Sequence, residues 1–133
     1  MASEKPSKAL ILLVDDDCDL RGILGRSLER SGLSVMTARN GREALERLAA
    51  HGADLVVTDL MMPEMSGLEL IRALRSGHPA LPIIAMSAGA ELRGDRSLES
   101  ASKAGAQVVL EKPFAMQRLI REIRSLLATS SVD

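Results

Sequence analysis

An α/β fold, a doubly wound (βα)5 parallel sheet with helices on both faces, is what this 133-residue sequence predicts, and three observations predict it. Five short apolar runs rich in Val, Ile and Leu recur along the chain. Segments with the i, i+3, i+4 apolar spacing of helices separate them. Acidic residues, a serine or a lysine stand where several of the runs stop. Regular alternation of strand and helix implies parallel strands joined by right-handed crossovers, and the ligands of such sheets collect beyond the carboxyl ends of the strands.

The first run, ALILLV at 9–14, is continuous rather than alternating, as a strand covered on both faces should be. Leu20, Ile23, Leu24 and Leu28 then form one helical stripe, which Gly32 stops. The second run, LSVMT at 33–37, precedes a helix carrying Ala44, Leu45 and Leu48 and ended by Gly52. DLVVTD at 54–59 is the third. Its helix opens on Ser66 and Glu69, the S-x-x-E spacing of a reciprocal cap, and carries Leu68, Ile71 and Leu74. LPIIAMS at 81–87 and AQVVLE at 106–111 complete five strands, all expected to be covered on both faces. A fourth helix is expected over 95–104, closed by Gly105, and a fifth through Met116, Leu119, Ile120, Ile123 and Leu127. Residues 1–8 read as a flexible N-terminal tail, 9–128 as one domain and 129–133 as a C-terminal tail.

Composition excludes several classes of function. A formal net charge of −1 offers no wide basic field for a nucleic-acid backbone, and one Phe with no Trp or Tyr offers no stacking platform for bases. Direct nucleic-acid binding is not expected. No apolar run is long enough to span a bilayer, and the opening MASEKPSKAL lacks the apolar segment of a secretory signal, so no membrane role is expected. The single cysteine, Cys18, cannot form an internal disulfide. These features point to a reducing, cytoplasmic setting.

The chemistry lies at the strand ends. In ILLVDDDCDL the first strand runs directly into Asp15, Asp16 and Asp17. Two carboxylates roughly 4 Å apart repel by about 4 kcal/mol at an intermediate dielectric, so the cluster requires a positive partner. Carboxylates and water together form the hard-oxygen site that Mg2+ accepts. Asp59 ends the third strand, Ser87 the fourth, and Lys112 follows the fifth. Lys112 supplies a second positive charge and Ser87 a hydroxyl donor for a phosphoryl oxygen. A carboxylate can itself be a nucleophile, and Asp59 is the best candidate because it stands alone on its strand while Asp15 and Asp16 can share the metal.

The motifs LLVDDD, VVTDLMMPEMSGLEL, AMSA and EKPF, spread over 9–128, together resemble the receiver domain of bacterial two-component response regulators. The resemblance implies a flavodoxin-like sheet of strand order 2-1-3-4-5. It implies that Asp59 takes a phosphoryl group from a sensor histidine kinase, a histidine phosphotransfer protein or a small phosphodonor. Mg2+ would be held by Asp15, Asp16, Asp59 and the backbone carbonyl of Met61. Ser87 falls at the switch-hydroxyl position, Lys112 at the phosphate-contacting position, and a cis peptide is expected at Lys112–Pro113. Such a chain is a phosphorylated switch that signals to a downstream protein target, with self-catalysed phosphotransfer and slow autodephosphorylation as its only turnover. A single-domain regulator is the expectation, with a receiver segment of a larger regulator as the alternative.

Two departures from the family pattern are visible. Val109 stands three residues before Lys112, where the family often has an aromatic that swings inward on activation. The segment from Ser87 to Lys112 is longer than in the simplest members, and Gly89 and Gly94 loosen SAGAELRGD, so the switch is expected to run through that loop.

Other polar residues have plainer readings. Asp17 and Asp19 suit the first turn of a helix as caps rather than metal ligands. Cys18 is expected to pack as a small apolar residue, and His51 and His78 to lie at the surface. Arg118, Arg121 and Arg124 read as a solvated helix face, and Met61 or Met62 as shaping the loop after Asp59. A Mg2+-dependent phosphohydrolase of the haloacid-dehalogenase type also uses an aspartyl phosphate, but its D-x-D-x-[TV] motif is not met, since Asp19 follows Asp15 and Asp17. A degenerate receiver is disfavoured because Asp15, Asp16, Asp59, Ser87 and Lys112 are all present.

Overall fold

Each expected strand and helix has a counterpart in the computed structural model, which describes residues 8–62, 64–87 and 98–130. In chain order these are β1 (Leu10–Val14), α1 (Cys18–Arg30), β2 (Ser34–Ala38), α2 (Gly41–His51), β3 (Leu55–Asp59), α3 (Gly67–Gly77), β4 (Ile83–Ser87), α4 (Leu98–Ala104), β5 (Val108–Glu111) and α5 (Met116–Ser130). Residues 1–7, 88–97 and 131–133, which include most of both expected tails, the loop after Ser87 and the expected start of the fourth helix, lie outside the described residues.

All five strands are parallel, in the order β2-β1-β3-β4-β5. The chain therefore leaves β1 in one direction to make β2 and returns past it to make β3. That reversal opens a crevice beyond the carboxyl ends of β1 and β3. Their register pairs Val14 with Thr58, so Asp15 and Asp59 emerge side by side.

Side chains alternate between two apolar layers. Leu12, Val14, Val56, Ile83 and Ala85 face Leu48, Ile71, Leu74 and Ala101 of α2, α3 and α4. Ile11, Leu13, Leu55, Val57, Ile84 and Met86 face Leu24, Leu28, Leu119 and Ile123 of α1 and α5. Each fully buried Leu or Ile contributes about 1.5–3 kcal/mol through apolar burial. β3 and β4 are buried along their whole length and β1 over four of its five residues, whereas β2 and β5 are only partly covered. The expectation of two-sided cover thus fails at the two edges, where a neighbouring strand is missing on one side.

The helix ends follow the sequence closely. Asp17 Oδ1 accepts from the Leu20 N–H at 3.1 Å and Asn40 Oδ1 from the Glu43 N–H at 2.8 Å. Ser66 and Glu69 form the reciprocal cap of α3, at 2.9 and 3.2 Å. Cys18 is exposed, contrary to the expectation of packing, because it opens α1 at the rim beyond the sheet; Leu20 packs partly buried and full burial begins at Leu24. Arg121 and Arg124 are exposed as expected, but Arg124 Nη2 also donates to the Ser31 carbonyl at 2.7 Å and so satisfies the C-terminal end of α1.

At the opposite end of the sheet from the crevice, Arg75 ties α3 to the α4–β5 connection. Its guanidinium donates to the carbonyls of His78 (2.9 Å), Pro79 (2.8 Å) and Gly105 (2.7 Å) and to Gln107 Oε1 (3.2 Å). The same Gln107 oxygen accepts the Ile83 N–H at the start of β4. Burial lowers the pKa of Arg75 from its ordinary value. Several hydrogen bonds from one charged donor, discounted for partial exposure, make Arg75→Ala an expected loss of about 2 kcal/mol in urea unfolding. A loss under about 0.5 kcal/mol would show that water replaces these bonds at no cost.

Candidate functional site

The crevice gathers Asp15, Asp16 and Asp59, three of the acidic residues singled out at the strand ends. Asp15 is fully buried and Asp59 is 6% exposed, while Asp16 faces solvent. One oxygen from each of the three carboxylates lies within 4.8 Å of the others. The backbone holds them there. The Asp15 N–H donates to the Ala38 carbonyl at 3.1 Å, continuing the β1–β2 ladder one residue past β1. Asp15 Oδ1 accepts the Asp17 N–H at 2.9 Å, and Asp59 Oδ1 accepts the Met61 N–H at 3.2 Å.

Lys112 reaches the same point from the end of β5. Its Nζ is 3.5 Å from Asp59 Oδ2 and 3.9 Å from Asp15 Oδ2. The Lys112 N–H donates to the Ser87 carbonyl at 2.7 Å, which fixes β5's end against β4's. Ser87 is buried at the end of β4, one residue beyond the partner of Asp59 in the β3–β4 register. The Lys112–Pro113 peptide is cis, as expected.

Among the described residues one ammonium answers a cluster of three carboxylates, pairing with two of them, and the imbalance shows at Asp15. Its Oδ2 is buried and accepts no hydrogen bond from the described residues. Its pKa is pushed up to about 6, first by burial and then by the charges of Asp59 and Asp16, against the lowering effects of the Asp17 N–H and of Lys112. A buried oxygen with no hydrogen-bond donor among the described residues, beside two more carboxylates, is a poor place for a second anion and a good one for a cation. Oxygen-only donors suit a hard divalent ion of the Mg2+ kind. The donor set therefore fits the metal that the sequence suggested.

Asp17 is occupied elsewhere. Its carboxylate caps α1, so it does not serve as the second acid of a D-x-D pair. His51 and His78 are exposed, and both belong to the ends of helices away from the crevice. Met61 is 36% exposed and Met62 is 9% exposed, so the first borders the crevice mouth while the second anchors the loop in the core. Val109 packs half-buried against the α2–α3–α4 layer. The SAGAELRGD loop, apart from Ser87, lies outside the described residues.

Two neighbours of the site were not singled out from the sequence. Arg21 Nη1 donates to the Asp15 carbonyl at 2.7 Å, and Thr58 Oγ1 donates to the Asp59 carbonyl at 3.0 Å. Both act on backbone oxygens. Nothing in residue type or spacing signals such a bond before the strand ends are placed in space.

The family model described as response regulator receiver domain matches residues 11–124. Response regulator MprA of Mycolicibacterium vanbaalenii is 44% identical over 124 residues, covering 92% of this chain and 52% of that protein. MprA of Mycobacterium leprae is also 44% identical over 124 residues, with 92% and 53% covered. The chain spans about half the length of the curated relatives it matches. Among solved structures, the receiver domain of Francisella response regulator 1452 aligns with a TM-score of 0.84 at 28% identity, covering 93% of this chain and 100% of that one. Chemotaxis response regulator CheY4 of Vibrio cholerae aligns with a TM-score of 0.79 at 29% identity, covering 90% and 98%.

Proposed function

The chain belongs to the response regulator receiver family, and from that premise we propose that Asp59 is its phosphoacceptor, in a Mg2+-dependent reaction that switches the domain between two signalling states. The observation that carries this reading is the meeting of Asp15, Asp16 and Asp59 with Lys112 at one sheet crevice.

Asp15, Asp16, Asp59 and the backbone carbonyl of Met61 would hold Mg2+. When bound, the ion supplies charge neutralisation and an electrophilic partner for a phosphoryl oxygen. The chain's own residues do the rest. A carboxylate oxygen of Asp59 forms the new O–P bond as the donor's bond to phosphorus breaks. That donor bond is N–P for a phosphohistidine of a sensor kinase or phosphotransfer protein, and acyl O–P for a small donor such as acetyl phosphate. The leaving imidazole takes a proton from solvent, while acetate leaves as the anion. The near burial of Asp59 limits the water that can reach the acyl phosphate. Lys112 Nζ, already beside Asp59 Oδ2, pairs with the phosphoryl group, and the Ser87 hydroxyl donates to one of its oxygens.

The consequence is a switch rather than a turnover catalyst. Its partners are a kinase or phosphotransfer protein and a downstream protein surface, on another chain or on a further segment of its own. Val109, β-branched and stiff about its first torsion, does not favour an aromatic-style swing, so the Ser87–Lys112 pair carries the response. Among the described residues no helix is long and apolar enough to cross a membrane. We place the reaction in the cytoplasm, where phosphodonor and reduced Cys18 coexist.

Borohydride trapping tests this reading. After incubation with acetyl phosphate and millimolar Mg2+, peptide mapping should find a reduced, formerly phosphorylated aspartate at residue 59, and chelation of Mg2+ should prevent it. Absence of label, or label trapped at another carboxylate, would overturn the assignment.

A further inference from the structure

We infer that Gly67, the first residue of α3, is a positioning residue for the phosphoacceptor; the inference rests on the proposed role of Asp59 and adds a residue to it. α3 starts directly beneath the end of β3. The Gly67 N–H donates to the Leu60 carbonyl at 3.0 Å, so the loop that leaves β3 closes on its own root. A Cβ built on Gly67 would stand 2.5 Å from Leu60 Cα and 3.0 Å from the Asp59 carbonyl carbon, and closer still to the Asp59 carbonyl oxygen. These are backbone atoms, which cannot swing aside as a side-chain tip can. Only glycine permits this approach.

The Asp59 carbonyl is therefore held from two sides. Gly67 packs against it, and the Thr58 hydroxyl, itself fully buried, donates to it at 3.0 Å. Asp59 reaches the crevice through one short side chain, so a displaced backbone moves both carboxylate oxygens relative to Asp15 and Lys112. Strand β3 is pinned on its other edges by register with β1 and β4, which directs any displacement to its free carboxyl end.

Gly41 provides the comparison. A Cβ there would be equally crowded, 2.5 Å from Met65 Sδ, but its neighbour is a flexible thioether that can give way. Gly41 opens α2, and the three atoms nearest to such a Cβ all belong to the Met65 side chain.

The test compares Gly67→Ala and Gly41→Ala for Mg2+ affinity, rate of labelling by acetyl phosphate and thermal midpoint. Misplacement of one ligand or nucleophile should weaken Mg2+ binding and slow labelling by about tenfold or more in Gly67→Ala. Gly41→Ala should keep both within about twofold even where its midpoint falls. Thr58→Val, which removes the second restraint without changing shape, should show a smaller loss of the same two quantities in a folded protein. If Gly67→Ala loses only thermal stability while affinity and rate stay at wild-type values, the inference fails. If that variant does not fold, Thr58→Val decides: a loss in both quantities supports restraint of the Asp59 backbone, and wild-type values overturn it. A wild type that neither binds Mg2+ nor takes label overturns the function itself, a distinct result.

Discussion

Asp59→Asn should abolish labelling by acetyl phosphate while yielding a folded protein that is more stable than the wild type without metal. The amide is close to the carboxylate in shape but cannot form an acyl phosphate. Its effect on stability follows from the crowding of charge. Asp59 sits with Asp15 and Asp16 around one ammonium, and its charge helps push the Asp15 pKa up. Removing it takes away repulsion but also one partner of Lys112, so the net gain is smaller than a bare pair energy, about 1–2 kcal/mol. The same substitution removes one proposed oxygen ligand, so the added stability from Mg2+ should shrink. Denaturant unfolding with and without Mg2+, beside the labelling assay, reads all three. Retained labelling at the wild-type level would remove Asp59 from its role, and a less stable metal-free variant would show that the Lys112 pairing outweighs the repulsion.

The fold was legible because its signals are local. Ser66 and Glu69 cap α3 as their spacing implied, and Gly32, Gly52 and Gly105 adopt positive φ after the helices they were expected to end. Strand order came from resemblance rather than from periodicity, since an apolar run such as LVVTD does not name its neighbours. Asp15, Asp16, Asp59 and Lys112 were legible as a group because strand ends converge in a parallel sheet. What escaped were features of close approach. Gly67 lay inside a recognised motif, yet its crowding against the Asp59 backbone depends on where α3 starts in space. Arg75 reads in sequence as one more basic residue on an amphipathic helix, and of its four acceptors two follow its own helix while the other two lie in the distant α4–β5 connection. Cys18 misled because a free cysteine usually packs as a small apolar residue, whereas this one stands exposed at the first position of α1.

Stability without metal should fall as pH rises from about 4 to about 7, and Mg2+ should reverse that trend. Asp15 has an ordinary carboxyl value of 3.8 when unfolded and about 6 in the fold. Between those values the native chain holds a proton that the unfolded chain has released. The stability supplied by protonated Asp15 is therefore fully present below about 4 and is lost as pH rises through about 6, a change of about 3 kcal/mol. A metal competes with that proton for the same buried oxygen, because only the carboxylate binds it. Mg2+ stabilisation should accordingly be small at pH 5 and grow through pH 7. Urea unfolding at pH 5 and 7.5, in chelator and in millimolar Mg2+, measures both slopes. Asp15→Asn, which cannot titrate, should lose the decline seen in chelator and most of the gain from Mg2+, leaving the background of the other carboxylates for subtraction. Parallel pH curves for the wild type and Asp15→Asn would mean that the proton resides on another group, and that Asp15 is tolerated in the fold as an anion with only Lys112 opposite its Oδ2 among the described residues.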